Sequence, residues 1–155
     1  GMKHADLSGV IKVLYEPDLD RIYRAISMLQ TYACMENEGA YEGLLQFYEG
    51  LGPAETLEDV HLRKRIVEVL RRFEPERRVM EAYVNELKRS PSNNTTNQLY
   101  RMILDRLSHC DHEIVSELLW NLLEEKKYST KMKNKITAIA EGYDDDEYER
   151  GYFFL

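Results

Sequence analysis

His109, Cys110, Asp111 and His112 form the one dense cluster of metal-ligand residue types in the sequence. A closed zinc site needs four ligands drawn from separate short motifs, whereas the other candidates, Cys34 and His61, stand alone. The cluster therefore reads as a helix junction in which Asp111 caps and Cys110 packs. Nucleophilic catalysis needs a Ser or Cys beside a base, and neither a G-x-S-x-G elbow nor a recognisable cysteine-hydrolase pattern is present. Cys34 falls inside an apolar helical pattern, so a buried, inert thiol is expected there. Carboxylates such as Glu36, Glu38 and Glu42, or Glu124 and Glu125, are what any acidic helical surface supplies. EGLGP at 49–53 has no Lys-Ser/Thr after it and no strand before it, so it is not a phosphate loop. No catalytic, metal-binding or cofactor-binding residue is called, and a non-enzymatic protein is expected.

Charge narrows the partners. Twenty-one Lys and Arg stand against 28 Asp and Glu, a net charge of -7, which is the wrong sign for affinity built on neutralising phosphates. The exception is a belt from Arg63 to Arg78, with seven Lys or Arg residues against Glu68, Glu74 and Glu76. Nucleic-acid binding through this belt is the alternative function, although the acids interrupt it and no aromatic cluster offers base stacking. Internal or inter-subunit ion pairing is its favoured use. An enzyme of unrecognised type is the second alternative. Two cysteines and no apolar run approaching about 18 residues point to a cytoplasmic protein with reduced thiols and no membrane partner. Gly1 before Met2 reads as the remnant of a cleaved expression tag.

The elements that carry these residues read as all-α. Pro17, Pro53, Pro75 and Pro91 each separate segments of helical periodicity, and no hairpin signal or alternating β-branched run occurs. About eight helices are expected, near 5–15, 18–35, 38–51, 57–73, 76–89, 96–109, 112–128 and 131–141. Asp18, Thr56 and Asp111 stand where N-caps are wanted, and Gly142 follows the last helix as a left-handed cap. Residues 112–125 carry apolar side chains over more than half of the helix circumference. That predicts a helix packed on two sides near the middle of the structure, with Trp120 shielded and Trp120→Ala costing on the order of 3–5 kcal/mol.

The openings LDRIYRAISML at 19–29, HLRKRIVEVL at 61–70, QLYRMILDRL at 98–107 and TKMKNKITAIA at 130–140 align as an internal repeat. The matched positions Leu29, Leu70, Leu107 and Ala140 step by about 41, 37 and 33 residues, and the first three openings are followed by a second helix. RMILDRLSHCDHEIVSELLWNLL has the helix, short turn, acidic cap and apolar second helix of a HEAT unit. Residues 18–141 thus resemble HEAT or armadillo-type repeats, although the repeat length shrinks along the chain and the usual turn residues are not reproduced. The resemblance implies a short right-handed superhelix of stacked antiparallel helix pairs, spanning residues 2–142 as one domain, whose second helices line a concave partner-binding surface.

On that surface the helical wheel places Glu42 and Glu49, then Arg77, Arg78, Glu81, Asn85 and Lys88, then Glu117 and Asn121, an acidic, basic, acidic banding. Residues 143–155 follow as a tail with five acids from Asp144 to Glu149 and an apolar end. Tyr143, Tyr152, Phe153 and Phe154 of this tail are candidates for docking onto the last repeat, a partner or a second copy of the chain. The expected function is a protein–protein interaction module. By analogy of fold class alone it is a small adaptor or a toxin-neutralising immunity-type protein of bacterial kind.

Overall fold

The computed structural model of the chain describes residues 1–143 and is all-helical over them, with eight α-helices and no strand among the described residues. They are α1 (Ser8–Val13), α2 (Leu19–Cys34), α3 (Glu38–Glu49), α4 (Leu57–Leu70), α5 (Arg77–Arg89), α6 (Asn97–Ser108), α7 (His112–Glu125) and α8 (Thr130–Ala140), with short 3-10 turns at Met2–His4 and Arg71–Phe73. All four prolines lie outside the α-helices, as their fixed φ and missing N–H require.

Side-chain caps start α2, α3, α4, α7 and α8, whereas α5 and α6 begin without one. The Asp18 carboxylate accepts from the Arg21 N–H, and the Asp111 carboxylate from the Ile114 N–H. Thr56 and Asp59 complete a reciprocal capping box at the head of α4. Two caps fall on residues that the sequence pattern passes over. Asn37 accepts from the Ala40 N–H while its amide donates to the Met2 and Ala5 carbonyls, tying the N-terminal segment to α3. Ser129 accepts from the Met132 N–H at the head of α8.

The helices meet in two rows, α2–α4–α6–α8 and α3–α5–α7, joined through α2 on α3, α3 on α4, α5 on α6 and α7 on α8. Helix α1 lies against α2 and α3. Gly43 allows that approach, because a Cβ at this position would collide with the Ile11 side chain. Helix α5 packs on α7, α6 and α3 more broadly than on its sequence neighbour α4, a departure from uniform pairing. The core runs continuously through both rows, with Ile26, Leu29, Leu45, Ile66, Leu70, Leu87, Leu104 and Leu119 all fully buried. Each such side chain contributes roughly 1.5–3 kcal/mol on leaving water.

Polar groups are buried at the seams between helices. Glu86 of α5 is 0% exposed. One of its oxygens accepts from Arg89 Nε at 3.0 Å and Ser90 Oγ at 2.7 Å, and the other lies 2.9 Å from Arg63 Nε without hydrogen-bond alignment. The two arginines carry the network outward: Arg63 donates to the Gly52 carbonyl and Arg89 to the Tyr48 carbonyl, with Arg89 also stacked over the Tyr48 ring. A second buried acid, Glu74, accepts from Tyr83 Oη at 2.8 Å and from a two-pronged Arg106 fork at 2.6 and 2.9 Å. At the C-terminus of α5, Lys126 Nζ donates to the Leu87, Lys88 and Ser90 carbonyls, and Tyr100 and Tyr128 hydroxyls add donors to Leu87. That cation meets the negative end of the helix dipole.

The structure corrects two readings. Cys34 is exposed, because α2 ends on it and the buried stripe Ile22, Ile26, Leu29 and Ala33 turns past it. Trp120 is 42% exposed, and only Val115, Leu119 and Leu122 of α7 are fully buried. Among the described residues α7 is the last helix of its row, so its wide apolar arc meets α5 on one side and no further described helix of that row on the other.

Two outcomes follow from the buried polar groups. Glu86→Gln leaves two buried guanidiniums without a carboxylate and is expected to cost about 3–5 kcal/mol in urea denaturation. Glu81→Gln, on the exposed side of the same helix, should cost less than about 1 kcal/mol, and equal effects would contradict the network. Burial raises the phenols of Tyr48, Tyr83 and Tyr100 above their ordinary value and pushes Tyr128 up to about 12. A raised acid binds its proton more tightly when folded, so this stability is intact below the unfolded phenol value of 10.0 and falls as pH rises toward 12. The last part of the tyrosinate absorbance, from these four phenols, should therefore appear together with loss of helical circular dichroism above that value, and ionisation of all tyrosines before any helix loss would refute it.

Candidate partner-binding surface

Helices α3, α5 and α7 lie side by side and present the banded charges to one surface. Glu42 and Glu49 are seven residues apart on α3 and so lie two turns apart on one stripe. Arg78 of α5 reaches both: its Nη1 donates to the Glu42 oxygens at 2.7 and 2.8 Å, and its Nε and Nη2 form a fork on Glu49 at 3.0 and 2.7 Å. Hydrogen bonds that it donates to Glu49 first, and to Glu42 next, hold this guanidinium even more firmly protonated than usual. Arg77 lies 3.5 Å from Glu81 and 3.4 Å from Glu117 of α7, and Lys88 pairs with Glu125. Asn85 and Asn121 are exposed on the same helices.

The fold thus brings together Glu42, Glu49, Arg77, Arg78, Glu81, Lys88 and Glu117, and the bands that alternate in sequence neutralise one another across the helix seams. Each exposed pair contributes at most about 1 kcal/mol, so the seams set the lateral register of the row more than its stability. Tyr143 is not on this surface; it follows α8 in the other row and is 40% exposed. Tyr152, Phe153 and Phe154 lie outside the described residues.

Trp120 is the feature of this surface that the sequence reading missed. Glu117 and Glu125 of α7 pair with α5, and the 100° turn per residue puts Trp120 about 60° round the helix from Glu117 and about 140° from Glu125. Glu113, Glu117 and Glu124 are exposed at the seven-, three- and four-residue spacings that make them its helical neighbours, so a half-exposed indole sits in a border of carboxylates. An indole face is the strongest aromatic site for a cation, and the acids raise the local concentration of one. This combination suits a basic side chain, Arg above all, on an incoming partner.

The remaining candidates disperse. Arg63 is buried in the Glu86 network, Lys64 donates to Gln98, Arg65 to Gln30, and Arg77 and Arg78 are paired as above. Arg71 and Arg72 remain exposed within the 3-10 turn Arg71–Phe73, so the belt is broken up on folding. His109 hydrogen-bonds the Asp105 carbonyl, and Cys110 Sγ donates to the Arg106 carbonyl with burial pushing its thiol up to about 11. No three His, Cys, Asp or Glu residues converge as a metal site among the described residues. No described helix is long and apolar enough to cross a membrane.

Because Trp120 is exposed, Trp120→Ala is expected to change stability by about 1 kcal/mol or less, and acrylamide should quench its fluorescence readily. A loss of 3 kcal/mol or a quenching-resistant indole would restore the shielded reading. Comparison with protein-family models, with curated proteins and with solved structures finds no match for the chain.

Proposed function

We propose that the protein is a non-enzymatic, cytoplasmic interaction module, a short stack of helix pairs of adaptor or immunity type that binds a basic protein through the α3–α5–α7 surface. The observation that carries this reading is the exposed Trp120 set among Glu113, Glu117 and Glu124 on the last helix of that row. Trp and Arg are the residue types that most often dominate binding energy at interfaces. The overall charge of -7 favours attraction of a basic partner and fast encounter. The succession of contacts α3–α5–α7 beside α2–α4–α6–α8 supports the stacked-pair arrangement.

The nucleic-acid alternative loses support from the geometry, since Arg63 is buried and Arg77 and Arg78 are held by carboxylates. The test is capture of partners from a lysate of the source organism by the wild-type chain, by Trp120→Ala and by Arg71→Glu/Arg72→Glu, each first shown to be folded. A basic protein retained by the wild type and by the arginine variant but lost with Trp120→Ala supports the proposal. Equal capture by all three, or no capture, overturns this surface. Nucleic acid retained at low salt and lost with the arginine variant would establish the alternative.

A further inference from the structure

Helix α1 lies on α2 and α3, at the end of the α3–α5–α7 row opposite α7. A groove of about 450 Å³ runs between α1 and α2 there. Val10 and Val13 of α1 form one wall and Ala25 and Met28 of α2 the other, each pair three residues apart and so on one face of its helix. Met28 is 47% exposed, and its flexible thioether adapts to whatever packs on it. The stripe of Met28 continues into Arg24 and Arg21, four and seven residues before it, which also line the groove. Arg21 lies 3.2 Å from Glu16 in an exposed pair, whereas Arg24 makes no hydrogen bond or ion pair among the described residues. None of the described residues lining the groove is acidic. An apolar cleft therefore has a cationic border.

Trp120 on α7 has the reverse arrangement, an apolar centre with an anionic border. At 100° per residue Glu113, Glu124 and Glu117 lie about 20°, 40° and 60° from it on one flank, and the half-buried Leu123 lies about 60° from it on the other. Glu117 also meets Arg77, but Glu113 and Glu124 make no hydrogen bond or ion pair among the described residues. The two patches match in kind: one offers a knob and carboxylates, the other a cleft and guanidiniums.

We infer that the α1–α2 groove of one copy takes up Trp120 of a second copy, with Arg21 and Arg24 against the flank of Glu113, Glu117 and Glu124. An indole packs favourably on a thioether such as Met28 and offers its face to a guanidinium, so the apolar and charged parts of the contact reinforce one another. The patches sit at opposite ends of the row, which keeps a chain's Trp120 out of its own groove. The contact is therefore heterologous: each copy offers a groove at one end and an indole at the other, and copies add head to tail. Repulsion between chains of net charge -7 opposes it, but that field is screened beyond about 8 Å at physiological salt, whereas the paired borders are in direct contact. The inference rests on the reading of Trp120 as a recognition residue, and it makes a second copy the competitor of a basic protein for the same surface.

Sedimentation velocity of the full chain, from micromolar to millimolar concentration, tests it. The wild type is expected to gain mass continuously with concentration at low salt, and its association constant should fall at least several-fold in about 1 M salt, where charges are screened beyond about 3 Å. Trp120→Ala and Arg21→Glu/Arg24→Glu, each shown by circular dichroism to be folded, should both remain monomeric alone. Mixed in equal amounts they should form a one-to-one complex that grows no further, because the first chain keeps only its groove and the second only its indole. A wild type that stays monomeric, wild-type association that survives either change, or a mixture with no complex would overturn the head-to-tail contact. A basic protein captured through Trp120 by a chain that never self-associates would overturn this inference alone and leave the proposed function standing.

Discussion

A carboxylate with no contact to water sits in the middle of this protein, and its neighbours are arranged around that fact. Glu86 is fully buried on α5, and an isolated ionised carboxylate there would be prohibitively unfavourable. Arg63 from α4 and Arg89 from the next turn of α5 supply the opposing charge, and Ser90 adds a hydroxyl donor. The guanidinium groups then need acceptors of their own, found in the carbonyls of Gly52 and Tyr48. One buried charge thereby fixes α3, α4, α5 and the 50–54 loop relative to one another. Apolar packing supplies most of the stabilisation, but it tolerates sliding that this network does not.

Helix α5 is the hub because polar demands fall along its whole length. Arg77 and Arg78 at its start fasten it to α7 and α3, Tyr83 in its middle donates to Glu74, and its last carbonyls are collected by Lys126, Tyr100 and Tyr128. The same Arg–Glu chemistry acts differently with depth. Around Glu86 it is compulsory, since any partner removed leaves a bare charge in the interior. Around Arg78 it is a surface clamp in water, which orients helices and cancels the charge bands while adding little free energy.

Pairing of those bands across the seams leaves one side chain of the surface chemically distinct. A surface that reads acidic, basic, acidic along the sequence is tied together by ion pairs once α3, α5 and α7 are adjacent, with Glu113 and Glu124 left exposed beside Trp120. Trp120 and its border of Glu113, Glu117 and Glu124 remain as the distinctive chemistry, and they remain because the row ends at α7. Among the described residues the two ends differ: α1 lies on α2 and α3 at one end, whereas α7 has no further helix of its row at the other.

The sequence by itself determined the all-α class, the eight helices and most of their limits, because periodicity, proline placement and the caps Asp18, Thr56 and Asp111 are local properties. It also identified the residues of the charged surface, since a helical wheel separates outward from inward positions on any amphipathic helix. Tertiary structure alone decided how those residues are used. Nothing local distinguishes Arg63, buried against Glu86, from Arg71, exposed to solvent, or tells that Arg78 lies between Glu42 and Glu49 from another helix. Trp120 shows the reason most plainly. A wide apolar arc states that a helix has surface to bury, but the supply of neighbours is a property of the whole assembly, and α7 stands at the end of its row. Cys34 is exposed because it follows Ala33, the last residue of the buried stripe of α2, and the turn of the helix carries it off that stripe.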